Sequence, residues 1–329
     1  AHKKGWFDKP DYRKIHTVAT PRLGGIGIVV SFIVSVLFVM IVRPQFRAQI
    51  AHLWPLGIVF IVIHILGVLD DFLNLRALYR FVIQVGLALF VIAMDFRFKQ
   101  VWLPGQGAVS LGWLSYPLTM VWIIGAINAL NMIDGMDGLS GGISFIAFQA
   151  YTLIFLTQGS LGNTFIAFTL AGSVLAFLFF NMPTARIFMG DGGSTALGFA
   201  LAVLPLMPAG WPDTGFRMWD AGTLILIPIY DVVASMLRRI KQKVPIMHPD
   251  KWHLHHKLLH LGFNVRTILA LVYALSVYLS LSVGVGMHLT DVGHWYTLLI
   301  SWFVLLVFFL ILHYWKERTL NRAQALKTQ

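Results

Sequence analysis

The chain has 329 residues, 57% of them hydrophobic and 12% charged, with 25 Lys and Arg against 14 Asp and Glu and no Cys. At a mean hydropathy of +0.74 it is too apolar for a water-soluble domain and reads as an all-α polytopic membrane protein. The lack of Cys excludes disulfides, thiolate zinc sites and cysteine nucleophiles. The net charge of +11 is spread beside apolar spans and their Trp and Tyr residues, which favours anionic headgroups over nucleic acid.

Apolar stretches close to the ~20 residues that cross a bilayer as helix recur along the chain. Ten are expected, near 24 to 43, 52 to 69, 78 to 95, 115 to 131, 139 to 157, 161 to 180, 194 to 209, 219 to 237, 267 to 287 and 293 to 314. With residues 1–23 as a cytoplasmic segment, the segments on that side carry 20 of the 25 Lys and Arg, a bias that fixes the orientation. The expected organisation is a single integral membrane domain over 1–329, with spans and loops from 24 to 314, a basic His-rich cytoplasmic loop at 238–266 and a cytoplasmic tail at 315–329. Between the third and fourth spans, FRFKQVWLPGQGAVSLGW alternates around a Pro-Gly turn and predicts a short outer β-hairpin, a lid or spacer away from the site.

The chemistry lies in the loops facing the cytoplasm. In GVLDDFLNLRALYR, Asp70 and Asp71 end a span. As helix neighbours they point about 100° apart and divide roles rather than jointly chelate one ion. One meets a metal or acceptor, the other organises a neighbouring cation or acts as base. Arg80 follows, placed to hold a phosphate; the plain alternative is a charge cluster at a helix end that pairs with Arg76 or Arg80.

In NALNMIDGMDGLSGG the glycines let backbone approach a ligand, and Asn128, Asn131, Asp134 and Asp137 supply donors and acceptors suited to a nucleobase, ribose or hydrated metal. A calcium loop needs closer ligand spacing and a distal Glu, and the chain has only Glu317. A Gly-rich bend with Asp caps is the structural reading. In FNMPTARIFMGDGGSTALG, Asp191 opens a helix whose first turn favours anions, and its carboxylate suits Mg²⁺ against a phosphate, with Phe188 able to stack on a base. A simple helix cap is equally compatible with that motif.

Asp231, about two turns before Arg238, reads as neutralising a neighbouring basic group. His253, His255 and His256 suit a pyrophosphate better than zinc, since no Cys or nearby Glu completes a zinc site; His248 and His260 read as incidental.

Together DKPDYRKIHTVATPRLGG, LDD, NALNMIDGMDGL, IFMGDGGS, PIYD and PDKWHLHHKLLHLGF, in this order, resemble the polyprenyl-phosphate N-acetylhexosamine-1-phosphate transferases along nearly the whole chain. The H-x-H-H pattern is similar to the WecA/TagO-type branch, which uses UDP-N-acetylglucosamine and undecaprenyl phosphate. Ten spans from a cytoplasmic N-terminus fall one short of that branch's eleven, as if the first were missing from this sequence.

The resemblance implies Mg²⁺-dependent transfer, with Mn²⁺ as a substitute, of a sugar 1-phosphate from a UDP-sugar to a polyprenyl phosphate with release of UMP, at the inner face of the cell membrane. It implies Asp70, Asp71 and Asp191 as catalytic carboxylates and Asp191 with Asn131 at the metal. It further implies that Asn128, Asn131, Asp134, Gly135, Asp137, Asn181 and Phe188 line the nucleotide site, and that Arg80, His253, His255 and His256 neutralise phosphates. A homodimer is the expected assembly. A transporter of lipid-linked solutes is the reading from another class; carboxylates gathered at one face and the lack of an internal repeat argue against it.

Overall fold

The computed structural model describes residues 20–208, 217–244 and 253–327. Thirteen helices and one hairpin follow in chain order. They are α1 (Gly24–Val42), α2 (Pro44–Ile50), α3 (Trp54–Leu73), α4 (Ala77–Ala93), β1 (Gln100–Leu103), β2 (Gly107–Ser110), α5 (Ser115–Ile133), α6 (Leu139–Thr157) and α7 (Leu161–Asn181). The second half holds α8 (Gly190–Val203), α9 (Arg217–Leu224), α10 (Leu226–Lys241), α11 (Leu254–His260), α12 (Val265–Gly286) and α13 (Asp291–Lys327).

Each expected apolar stretch is helical over most of its length, and among the described residues 7 helices are long and apolar enough to cross a membrane, or 8 if the α9–α10 pair, bent by 79°, is one span. The expectation of ten is corrected at two places. Helix α4 has 17 residues and α8 has 14, short of the ~20 a straight crossing needs. The first stretch of the site loop past Asp70 and the glycine-rich start of α8 consume the residues that would have lengthened them.

Helix α8 is the centre of the molecule. It packs against α3, α5 and α1, while α6 pairs with α7 and α12. Ala196, Leu197, Phe199, Ala200, Leu201 and Ala202 are all buried, so the helix is apolar on every side, as a helix enclosed by others must be. Small residues set its spacing: a Cβ at Gly198 would lie 2.7 Å from the Cα of Ile127 on α5. In a bilayer, where lipid tails are as apolar as leucine, such close van der Waals contact is a main source of helix association. Outward-facing Val34, Phe38 and Ile41 on α1 and Phe168 and Phe179 on α7 are exposed, a surface that lipid covers without cost.

The hairpin forms as expected, antiparallel with Val101 opposite Val109 and Trp102 opposite Ala108. It belongs to the end of the bundle where α13 begins. Trp219 donates its Nε1–H to Trp102 O at 2.8 Å, Trp302 donates to Thr223 Oγ1 at 2.8 Å, and buried His294 meets Asp220 at 2.8 Å. These bonds tie hairpin, α9 and α13 together as a scaffold.

Candidate active site

At the opposite end of α8, four helix ends meet. The last turn of α3 carries Asp70 and Asp71, α4 starts beside Arg80, α5 ends on Asn131 and Asp134, and α8 starts on Gly190 and Asp191. Close backbone approach makes the meeting possible. A Cβ at Gly67 would lie 2.5 Å from Asp191 O, and one at Gly25 would lie 2.3 Å from Gly193 N. Glycine is therefore required on both sides of α8. His64, buried one turn before Gly67, donates from Nδ1 to Gly192 O at 3.0 Å, and Gly25 N donates to Met189 O at 2.8 Å. The first turn of α8 is thus gripped by α1 and α3.

The two adjacent carboxylates have separate partners. Asp70, 5% exposed, accepts from Leu75 N at 2.8 Å and is bonded through its other oxygen to Arg80 Nη1. Arg80 Nη1 also stands 3.6 Å from Asp191 Oδ2. Asp71 accepts from Gly192 N at 3.2 Å and lies 3.5 Å from Arg22 Nη1. Asn131 donates to Asp191 Oδ1 at 3.0 Å and to Ser194 Oγ at 2.9 Å. Burial, a hydrogen bond shared with Asp70 and the charge of Asp71 all push the Asp191 carboxyl up from its ordinary value.

Asp134, at the end of α5, accepts from Ser140; burial outweighs that bond and, with the charges of Asp191 and Asp71, raises it to about 8. The turn that follows is held from two sides. Asn181 Oδ1 accepts from Gly138 N at 2.8 Å and Asn181 Nδ2 donates to Ile187 O at 2.8 Å. Asp137 accepts from Ala185 N at 3.0 Å. Tyr273 of α12 donates to Gly138 O at 2.6 Å. Gly138 itself has φ +78°, which only glycine adopts without strain. Phe188 is fixed by its backbone, which accepts from Gly24 N at 2.9 Å and donates to Pro21 O at 2.9 Å.

The histidines stand beside this turn. A Cβ at Gly135 would lie 2.6 Å from His255 Nε2, so the ring rests on the peptide of Gly135. His255 and His256 have ring centroids 4.3 Å apart. Both nitrogens of buried His255 lack a hydrogen-bond partner among the described residues, and burial together with the neighbouring His256 pushes its pKa down to about 3.

The structure thus gathers Asp70, Asp71, Arg80, Asn131 and Asp191 into one centre, with Asp134, Gly135, Asp137, Phe188 and His253 in the surrounding loops, Asn181 at the end of α7 and His255 and His256 in the first turn of α11. Asn128 faces away, donating to Gln84 Oε1 of α4 at 2.9 Å and to Ile124 O at 2.8 Å. The reading of Asp231 as a neutraliser of basic residues is corrected: its oxygens meet His253 Nδ1 at 2.8 Å and Leu254 N at 2.7 Å. Arg22, Ser140, His64 and Tyr273 are not singled out by the sequence. Arg22 lay inside the PRLGG motif, whereas a single His or Tyr in the middle of an apolar helix carries no signal of its own.

Among the described residues no group of three or more His, Asp or Glu is disposed to ring a metal ion. Asp191 offers hard carboxylate oxygens, and Asn131, whose Nδ2 donates to Asp191 Oδ1 at 3.0 Å, carries a hard amide oxygen on the same side chain. That set fits Mg²⁺ or Mn²⁺, which keep waters and take substrate phosphates in the remaining positions.

The glycosyl transferase family 4 model matches residues 53–209, the stretch that runs from α3 through α8. The chain is 34% identical over 316 residues to a Bacillus subtilis (strain 168) protein named "Probable undecaprenyl-phosphate N-acetylglucosaminyl 1-phosphate transferase", covering 95% of this chain and 85% of that one. The chain belongs to glycosyl transferase family 4. Two further relatives bear the name "Undecaprenyl-phosphate alpha-N-acetylglucosaminyl 1-phosphate transferase". The Escherichia coli (strain K12) protein is 30% identical over 98% of this chain and 86% of its own. The Yersinia pestis protein is 29% identical over 99% and 88%. As a member of this family the chain is an integral membrane sugar-phosphate transferase, and the matched segment contains Asp70, Asp71, Arg80, Asn131, Asp134 and Asp191.

Proposed function

We propose that the protein transfers N-acetylglucosamine 1-phosphate from UDP-N-acetylglucosamine to undecaprenyl phosphate and releases UMP, working at the cytoplasmic face of the cell membrane. The observation that carries the reading is the contact of Arg80 with both Asp70 and Asp191, at the end of a bundle whose sides are apolar. A lipid phosphate reaches this depth from the bilayer, and a nucleotide sugar reaches it from the basic loops.

An oxygen of the lipid phosphate attacks the sugar-bearing phosphorus of the donor. The bond from that phosphorus to the bridging oxygen breaks, and the electron pair leaves with UMP. The nucleophile is already anionic, so the protein's task is placement and charge neutralisation. Arg80 meets the phosphates. Asp70 holds Arg80 and is placed to accept a proton from the incoming phosphate, while Asp71 braces the first turn of α8 through Gly192 N. Asp191 and Asn131 would hold Mg²⁺, which supplies neutralisation of the pyrophosphate charge. The turn from Asp134 to Gly138 with Phe188 forms the nucleotide side, and the histidines face the phosphates.

Purified protein in detergent, given undecaprenyl phosphate and Mg²⁺ with UDP-GlcNAc, UDP-GalNAc or UDP-MurNAc-pentapeptide in turn, tests the assignment. UMP is expected with UDP-GlcNAc, to be lost on chelation and restored by Mg²⁺ or Mn²⁺. Turnover with one of the other donors alone would reassign the sugar, and folded protein silent with all three would reject the reaction.

A further inference from the structure

Asp231 sits in the first half of α10 and is 1% exposed. A carboxylate so deep in an apolar helix is costly unless its oxygens are used. Both are. Oδ1 accepts from Leu254 N at 2.7 Å and Oδ2 from His253 Nδ1 at 2.8 Å. A carboxylate acceptor requires Nδ1 to carry hydrogen, so Nε2 is a donor only in the doubly protonated ring, which the adjacent carboxylate favours. His255 differs: among the described residues neither of its nitrogens has a hydrogen-bond partner. The His253 ring lies nearly parallel to that of His255, at 8° with centroids 6.2 Å apart, and His255 rests on Gly135. The row of rings therefore runs from Asp231 to the turn that follows Asp134.

We propose that Asp231 is a positioning residue: it holds the His253 ring through Nδ1–H and serves as counter-charge to the imidazolium, the form in which Nε2–H as well is offered to the phosphates of the nucleotide donor. The inference rests on the reading of the site as one for a UDP-sugar. It assigns to α10, outside the segment matched by the family model, a part in phosphate recognition.

Asp231→Asn is the informative change, since the amide keeps an acceptor for Leu254 N–H but turns an N–H donor toward His253 Nδ1. The ring must then accept there, and it loses its counter-charge. Calorimetric binding of UDP and of uridine to the full chain in detergent with Mg²⁺ separates phosphate recognition from base and ribose recognition. Asp231→Asn is expected to weaken UDP by about tenfold, the worth of one charge-assisted hydrogen bond, and to leave uridine unchanged. His253→Ala should do the same, and the double variant should lose no more than His253→Ala alone.

Equal loss of uridine, or losses that multiply in the double variant, would show Asp231 to be a scaffold residue only and overturn the proposal. UDP affinity unchanged by His253→Ala would overturn it as well, whether or not Asp231→Asn folds. If folded wild-type protein bound no UDP, the nucleotide reading itself would fall; UDP binding by wild type with unaffected variants would reject only the role of Asp231.

Discussion

Arg80 Nη1 stands 3.6 Å from Asp191 Oδ2 while bonded to Asp70, so one guanidinium joins the end of α3 to the start of α8. Neither carboxylate is near the other in sequence, and a single nitrogen, Nη1, serves both, which leaves the remaining donors of the guanidinium for phosphate oxygens. Arg80→Ala leaves the two acids facing each other without a cation. UMP release should fall by about 100-fold, as when one preorganised charge donor is removed, while the variant still folds. Arg80→Lys should recover only part, because the ammonium restores the charge but not the further guanidinium donors that hold a phosphate. An Arg80→Ala enzyme within twofold of wild type would contradict this.

Close approach of α3 to α8 makes Gly67 intolerant of a side chain. Its added Cβ would meet backbone, at 2.5 Å from Asp191 O and 2.6 Å from Gly192 Cα, and backbone cannot swing aside. Gly67→Ala should cost about 1–3 kcal/mol and lower the thermal midpoint in detergent, with activity reduced in parallel because Asp191 is displaced. Gly57, with nothing within 4 Å of an added Cβ, is the control whose change to Ala should leave both properties alone.

Protonation of His255 links stability to pH. Its folded pKa is about 3, lowered chiefly by burial, against 6.5 when unperturbed. The unfolded chain therefore binds a proton that the folded chain refuses. The His255 contribution is fully present above pH 6.5 and is lost progressively as pH falls toward 3. Melting in detergent should show a decline below pH 6.5 that is shallower in His255→Phe; identical pH slopes in the two proteins would place the sensitivity elsewhere.

Tyr273 holds Gly138 O by a 2.6 Å bond, and that oxygen also accepts from Gly142 N at 2.8 Å. Tyr273→Phe keeps the ring over Gly142 and removes the hydroxyl. A stability loss of about 1 kcal/mol is expected. The KM for the nucleotide sugar should rise more than kcat falls, since the turn lies on the donor side; a pure kcat effect would place Tyr273 with the chemistry instead.

Much of this site was readable from the chain because scarce charged residues stood out against an apolar background. Asp70, Asp71 and Asp191 were visible as acids beside glycines at the ends of spans, and the hairpin was visible from its alternation and Pro-Gly turn. What escaped was of two kinds. Span number could not be settled by hydropathy, since α4 and α8 are as apolar as their neighbours and differ only in where the polar loops cut them short. Partners remote in sequence were also hidden: Asp231 lies close to Arg238 along the chain, yet its bonds go to residues 253 and 254. Asn128 resembles Asn131 in the same motif, but it lies one turn deeper in α5, where its amide bonds to Gln84 of α4.

The central claim is that the carboxylate centre at the start of α8 carries out phosphosugar transfer. The most direct measurement is the rate of UMP release from UDP-GlcNAc, with undecaprenyl phosphate and Mg²⁺, by wild-type protein and by Asp191→Asn, each with its melting curve in detergent. The account predicts lipid-dependent UMP release by wild type and a loss of about 1,000-fold in the variant with folding retained. A folded Asp191→Asn protein that releases UMP at the wild-type rate would contradict it.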